Sequence, residues 1–87
     1  MQERTWRSKT QDGREWRLKF GYVLSYHMNG KGYKDQDLAD ILEVGRTTVG
    51  KWRRGDMMPS LENLVKLTYI FGVPIEEFVD FGYIRDL

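Results

Sequence analysis

The sequence predicts an all-α domain of five short helices. Glycine-bearing turns recur along the chain, apolar residues return at three- and four-residue spacing between them, and no alternating run marks a strand. With 87 residues, of which 40% are apolar, one compact core is the expectation and two are not. Cysteine is absent, which removes disulfides, cysteine-ligated zinc and thiol nucleophiles as sources of stability or chemistry.

The first helix is expected from about 13 to 29. Asp12 and Glu15 form a capping-box pattern, and Trp16, Phe20, Val23, Leu24 and His27 follow at helical spacing. A rival reading makes Gln11-Asp12-Gly13 a hairpin loop that brings Trp6 across from Trp16 and Leu18. Asn29-Gly30-Lys31-Gly32 closes this helix, and Asp35 to Glu43 forms the second, with Leu38, Ala39, Ile41 and Leu42 on its apolar side. Val44-Gly45 makes the next turn. The third helix runs from Arg46 to Arg54 and stops at Gly55. Pro59-Ser60 begins a fourth, Leu61 to Phe71, with Leu61, Leu64, Leu67, Tyr69 and Ile70 apolar. Gly72-Val73-Pro74 ends it before a fifth stretch from Ile75 to about Val79. The expected organisation is an arm over 1–11, a domain over 12–80 and a partly apolar tail over 81–87.

The formal net charge of +1 hides a strong segregation. Residues 1–34 carry eight basic and three acidic side chains, 35–45 carry four acids and no base, 46–55 carry four bases and no acid, and 56–87 carry two bases and six acids. Such blocks produce a basic face on a nearly neutral molecule. The third helix also separates its residue types around its axis. Counted at about 100° per residue from Arg46, the positions of Thr47, Gly50, Lys51 and Arg54 fall between about 40° and 140°, while Val49 and Trp52 fall near 300° and 240°. Apolar anchoring and basic exposure therefore lie on different sides. Gly50 in the middle of the exposed side weakens the helix by up to about 1 kcal/mol relative to alanine, so it calls for a close neighbour: a groove edge or a packed helix.

In order, Gln36-Asp37-Leu38-Ala39-Asp40, Val44-Gly45-Arg46-Thr47-Thr48-Val49, Trp52-Arg53-Arg54-Gly55, Pro59-Ser60-Leu61 and Phe71-Gly72-Val73-Pro74-Ile75-Glu76-Glu77-Phe78 resemble the lambda-repressor-like (Cro-type, XRE-type) helix-turn-helix family over about residues 20 to 80. The resemblance implies a five-helix fold whose second and third helices read DNA, and a transcriptional regulator, of phage or bacterial repressor type, acting on a double-stranded, palindromic operator. It places base-reading positions on Arg46, Thr47 and Lys51. Arginine and lysine suit guanine O6 and N7, and threonine bonds either base type or touches a thymine methyl. It places phosphate and backbone contacts on Thr48, Arg54 and the Gly55-Asp56 backbone, which fix register without reading sequence.

Three positions depart from the family pattern. Asp35 stands where a phosphate-contacting glutamine is common, so that contact is not carried over; its expected role is at the amino terminus of the second helix, where negative charge is favourable. Met28 and Arg53 stand where many members place an arginine–glutamate ion pair. Losing both partners together is coherent, because losing one would strand a charge, and it leaves Arg53 free to reach solvent or a phosphate. Glu43 replaces a common turn glycine, which bears on the turn geometry.

Other chemistry finds little support in the residues. His27, the single histidine, is expected to pack, since one histidine without cysteine does not build a usual zinc site. Glu76 and Glu77 are adjacent and diverge around a helix, so they do not form a facing carboxylate pair. No enzyme activity, cofactor or metal is expected. The competing function is a protein-interaction module, such as an antitoxin, on the same fold, argued from Asp35 and the acidic second helix. RNA binding is less favoured, because an exposed aromatic platform is not evident in the sequence. A homodimer is expected through Ile75, Val79, Phe81, Tyr83 and Ile84, and added phosphate contacts through Arg4, Arg7 and Lys9 of the arm. The polar start and the lack of a roughly 20-residue apolar run predict a cytoplasmic protein without a signal peptide or membrane span.

Overall fold

The computed structural model describes residues 13–79. Helix α1 spans Arg14–Lys31, α2 Asp35–Leu42, α3 Arg46–Arg54 and α4 Leu61–Phe71, and a single 3₁₀ turn covers Ile75–Glu77. Among the described residues there is no strand. Trp16 and Leu18 lie inside α1 and not on a strand, while Trp6 and the start of the expected hairpin loop lie outside the described residues. The cap pattern that begins at Asp12 lies outside the described residues; the residue preceding α1 is Gly13, left-handed at φ 74°.

Each of the four helices ends in the same way. The residue after the last turn turns left-handed and the following N–H reaches back five residues: Tyr33 to the Met28 carbonyl at 2.9 Å, Val44 to Ala39 at 3.0 Å, Asp56 to Lys51 at 2.9 Å and Val73 to Thr68 at 3.1 Å. Glycine supplies the left-handed residue at three of these ends, and Glu43 supplies it at the fourth, with φ 58° and ψ 46°. The turn before α3 therefore keeps the geometry that a glycine would give, held by a residue for which that conformation costs about 1 kcal/mol or more. Helix α4 starts on Ser60, whose Oγ accepts the Asn63 N–H at 3.2 Å.

The core gathers Phe20, Leu24 and Met28 from α1, Leu38, Ala39 and Leu42 from α2, Val49 and Trp52 from α3, Leu64 and Leu67 from α4, and Phe78 and Val79 beyond the 3₁₀ turn. Helix α1 crosses α3 at Gly21, where even a methyl group would collide with the Arg53 carbonyl oxygen and come within 2.8 Å of that of Trp52. A glycine is required there by backbone contact, and nothing in the periodicity of the first helix points to it. The expected fifth helix is the 3₁₀ turn. Among the described residues its only i to i−4 closure is Val79 N–H to the Ile75 carbonyl at 3.1 Å, and the segment is held by burying Phe78 and Val79.

Three helices bury less than their apolar residues suggest. Ile41 on α2 is half exposed, and Leu61 and Tyr69 on α4 are 72% and 83% exposed. With Val65, Leu61 and Tyr69 form an outward stripe at i, i+4 and i+8. On α1, Leu18, Tyr22 and Tyr26 form a second outward stripe at the same spacing.

Candidate nucleic-acid interface

Helix α3 is fixed from beneath by Val49 and Trp52, both essentially buried, so the opposite side must face outward. Arg46, Thr47, Lys51 and Arg54 are exposed there, Thr48 is half-buried, and Gly50 is buried between them. Among the described residues Arg46 and Lys51 make no side-chain hydrogen bond or ion pair, so their charges are available to an external ligand. Arg54 donates from Nε to the Asp56 carboxylate at 3.1 Å, an exposed pair of the kind that contributes little and exchanges easily.

Gly50 owes its place to a side chain. A methyl group there would stand 3.2 Å from Nη1 of Arg54 and 3.8 Å from Oδ2 of Asp35. The absent side chain lets the Arg54 guanidinium lie back across α3 toward the start of α2.

Arg53 corrects the expectation of a free guanidinium. Its Nε donates to Ser25 Oγ of α1 at 3.0 Å, and its Nη1 meets Oδ1 of Asp35 at 2.5 Å. Both partners of the pair are about one-third exposed. Met28, at the position where the family's arginine is missing, is fully buried. The ion pair has thus been rebuilt between α3 and the start of α2. Asp35 stands in the first turn of α2, where its charge was expected, while the cap contact is made by Asp37, which accepts the Lys34 N–H at 2.8 Å. The coupling between Asp35 and Arg53 spans 18 positions, and helical spacing within either helix gives no signal of it.

The backbone at Gly55 and Asp56 is also engaged. The Gly55 N–H closes on the Trp52 carbonyl at 3.2 Å and the Asp56 N–H on that of Lys51, while the Gly55 carbonyl accepts Nε of Arg17 at 2.9 Å. Gly55 is left-handed at φ 80° and buried against Leu18, whose Cδ2 would lie 2.8 Å from any Cβ. These groups terminate α3 and tie it to α1, and their N–H groups are not open to a phosphate.

Of the expected dimer residues, Ile75 packs against the core and Val79 is 9% exposed, so both face their own chain. Phe81, Tyr83 and Ile84, like Arg4, Arg7 and Lys9, lie outside the described residues. His27 packs among rings, with Phe71 and Phe78 centroids each 5.7 Å away and Nε2 3.7 Å from Glu77.

This arrangement, a short helix bearing exposed cations and braced by a preceding helix across a left-handed turn, matches a known family. Residues 27–78 match the family model described as helix-turn-helix. The chain belongs to the helix-turn-helix family. It is 32% identical over 62 residues to the HTH-type transcriptional activator BcrR of Enterococcus faecalis, covering 71% of this chain and 30% of that protein. It is 41% identical over 54 residues to the SPbeta prophage-derived uncharacterized HTH-type transcriptional regulator YonR of Bacillus subtilis (strain 168), covering 62% of this chain and 50% of that one. The match thus spans half or less of either relative's length. Among solved structures, the restriction-modification controller protein C.AhdI of Aeromonas hydrophila superposes with a TM-score of 0.64 at 31% identity, covering 71% of this chain and 94% of that one. The DNA-binding domain of BldD superposes with a TM-score of 0.65 over 77% of this chain and 97% of its own; at 22% identity it speaks to the fold alone.

Proposed function

We propose that this helix-turn-helix protein is a sequence-specific transcriptional regulator that binds double-stranded DNA and reads the major groove with α3. The observation that carries the reading is the division of that helix: Val49 and Trp52 anchor it in the core, while Arg46, Thr47 and Lys51 stand exposed together, with no partner among the described residues for either cation. Arg46 and Lys51 would donate to guanine edges and Thr47 to a neighbouring base or thymine methyl. Thr48 and Arg54 would hold phosphates, Arg54 by releasing Asp56. The relatives named as transcriptional regulators support this reading.

The competing reading as a protein-interaction module loses its main argument, because Asp35 is neutralised by Arg53. A homodimer on two half-sites about 34 to 36 Å apart would double the reading surface, with residues 81–87 and the arm residues Arg4, Arg7 and Lys9 adding contacts. No helix among the described residues is long and apolar enough to cross a membrane.

Selection of bound duplexes from a random-sequence library, followed by gel-shift titration of the most enriched duplex over a range of salt concentrations, tests the function. The expected result is a defined motif, bound more tightly than random duplex, with affinity falling as salt rises. Equal, weak binding to all duplexes would overturn sequence-specific recognition.

A further inference from the structure

We infer that Asp35 is a specificity determinant that acts through Arg53: it ties the Arg53 guanidinium to the protein and so withholds it from the DNA backbone. This rests on the DNA-binding reading above. Arg53 sits at about 340° around α3 in the frame that puts Arg46 at zero, on the border between the buried side and the reading side. A guanidinium there, about one-third exposed, is placed to swing toward a docked duplex.

Two acceptors on two other helices prevent it. Ser25 of α1 takes Nε at 3.0 Å, and Asp35 at the first position of α2 takes Nη1 at 2.5 Å. The three residues join α1, α2 and α3 at one point. Asp35 has no competing duty as a cap, because Asp37 satisfies the Lys34 N–H. Its second oxygen, Oδ2, lies 3.8 Å from where a methyl at Gly50 would stand.

A phosphate contact adds affinity for every sequence alike and steepens the salt dependence by about 0.9 log unit. A cation held back from phosphate therefore lowers non-specific binding without weakening base reading, which raises the ratio of operator to random binding. Asp35 and Arg53 are positioning residues in this sense: neither reads a base, and together they fix how α3 meets α2.

The test is a double-mutant cycle on the full chain. Binding is measured to a random-sequence duplex and to the most enriched duplex of the selection, across salt concentrations, at temperatures where melting curves show each variant folded. Asp35→Asn is expected to tighten random-duplex binding roughly three- to tenfold and steepen its salt dependence by up to about 0.9, lowering the operator-to-random ratio. Arg53→Gln alone is expected to leave the slope as in wild type. The double variant is expected to return random-duplex binding and slope to the Arg53→Gln values.

An equal gain from Asp35→Asn in the Arg53→Gln background would overturn the inference, because Asp35 would then act only by its own charge. A flatter slope in Arg53→Gln alone would overturn it too, because Arg53 would already hold a phosphate. Unchanged random-duplex binding in Asp35→Asn also overturns it. If Asp35→Asn does not fold, Ser25→Ala frees Nε from the other side; a gain in the same direction supports the inference and no change overturns it. A wild-type chain that binds neither duplex overturns the DNA-binding reading and this inference with it, whereas wild-type binding without the Asp35→Asn effect overturns this inference alone.

Discussion

Arg46 and Arg53 lie on one helix, seven positions apart and within about 20° of each other around its axis, yet only one of them has a partner. Arg46 opens α3 beyond the reach of any described acceptor, while Arg53 lies where α1 and α2 converge and is taken by Ser25 and Asp35. A run of like charges in a sequence therefore does not count the charges available to a ligand. Tertiary neighbours decide that, and here they divide a basic helix into an offered part and a retained part.

The largest effect should come from removing what lets the helix be divided at all. Trp52 is essentially buried and holds the inner side of α3, so Trp52→Ala is expected to destabilise the fold by about 3 to 5 kcal/mol, read as a lowered midpoint in urea unfolding. Loss of DNA binding without loss of stability in that variant would mean that Trp52 belongs to the outer side.

The offered part should show the opposite pattern. Arg46→Ala and Lys51→Ala are each expected to weaken binding to the selected duplex by about 1 to 3 kcal/mol and to relax preference at one or two base pairs, with melting temperatures close to wild type. Gel shifts on single-base variants of the duplex measure both quantities. Wild-type affinity in both variants would show that the outer side of α3 is not the reading face.

Much of this was legible in the sequence, and the reasons are local. The bounds of α3, the burial of Val49 and Trp52, and the glycine stops at Gly32, Gly55 and Gly72 follow from period and turn chemistry, which act over a few residues. What was not legible depends on distance along the chain. Gly21 is dictated by the carbonyls of Arg53 and Trp52, Gly55 packs against Leu18 of α1 besides ending its own helix, and Arg53 is taken by residues 18 and 28 positions away. The outward stripes Leu61-Val65-Tyr69 and Leu18-Tyr22-Tyr26 were missed for a related reason: helical spacing gives a stripe, and only the packing of the other helices decides whether that stripe is covered.

The turn that separates α2 from α3 offers a smaller effect of predictable sign. Glu43 occupies a left-handed conformation at φ 58°, and its carboxylate stands at the carboxyl end of α2, where the helix dipole disfavours negative charge. Both terms point the same way. Glu43→Gly is expected to raise stability by about 1 kcal/mol, or roughly 4 to 8 °C in melting temperature for a domain of this size, while leaving the affinity for the selected duplex unchanged. A loss of stability would show that the Glu43 side chain contributes an interaction outweighing its backbone conformation.

The smallest effect sharpens the comparison most, because at Gly50 the two parts of α3 meet. Alanine there would relieve the helix of its glycine, a gain of about 0.5 to 1 kcal/mol. Against this, the new methyl would lie 3.2 Å from Nη1 of Arg54 and 3.8 Å from Oδ2 of Asp35. The nearer contact is the end of a flexible, exposed side chain, so it can yield by a few tenths of an ångström at little cost. Helix propensity should therefore win, and Gly50→Ala should be as stable as wild type or more so by about 0.5 kcal/mol. Its effect on binding should have the other sign. The methyl pushes Arg54 off its path toward Asp35 and fills the notch between Thr47 and Lys51, so affinity for the selected duplex should fall while the melting temperature holds or rises. Melting curves and gel shifts on the same preparation read both changes. A variant that loses stability would mean that the Arg54 guanidinium cannot yield the few tenths of an ångström the methyl needs; a variant that binds as tightly as wild type would mean that the notch faces no part of the duplex.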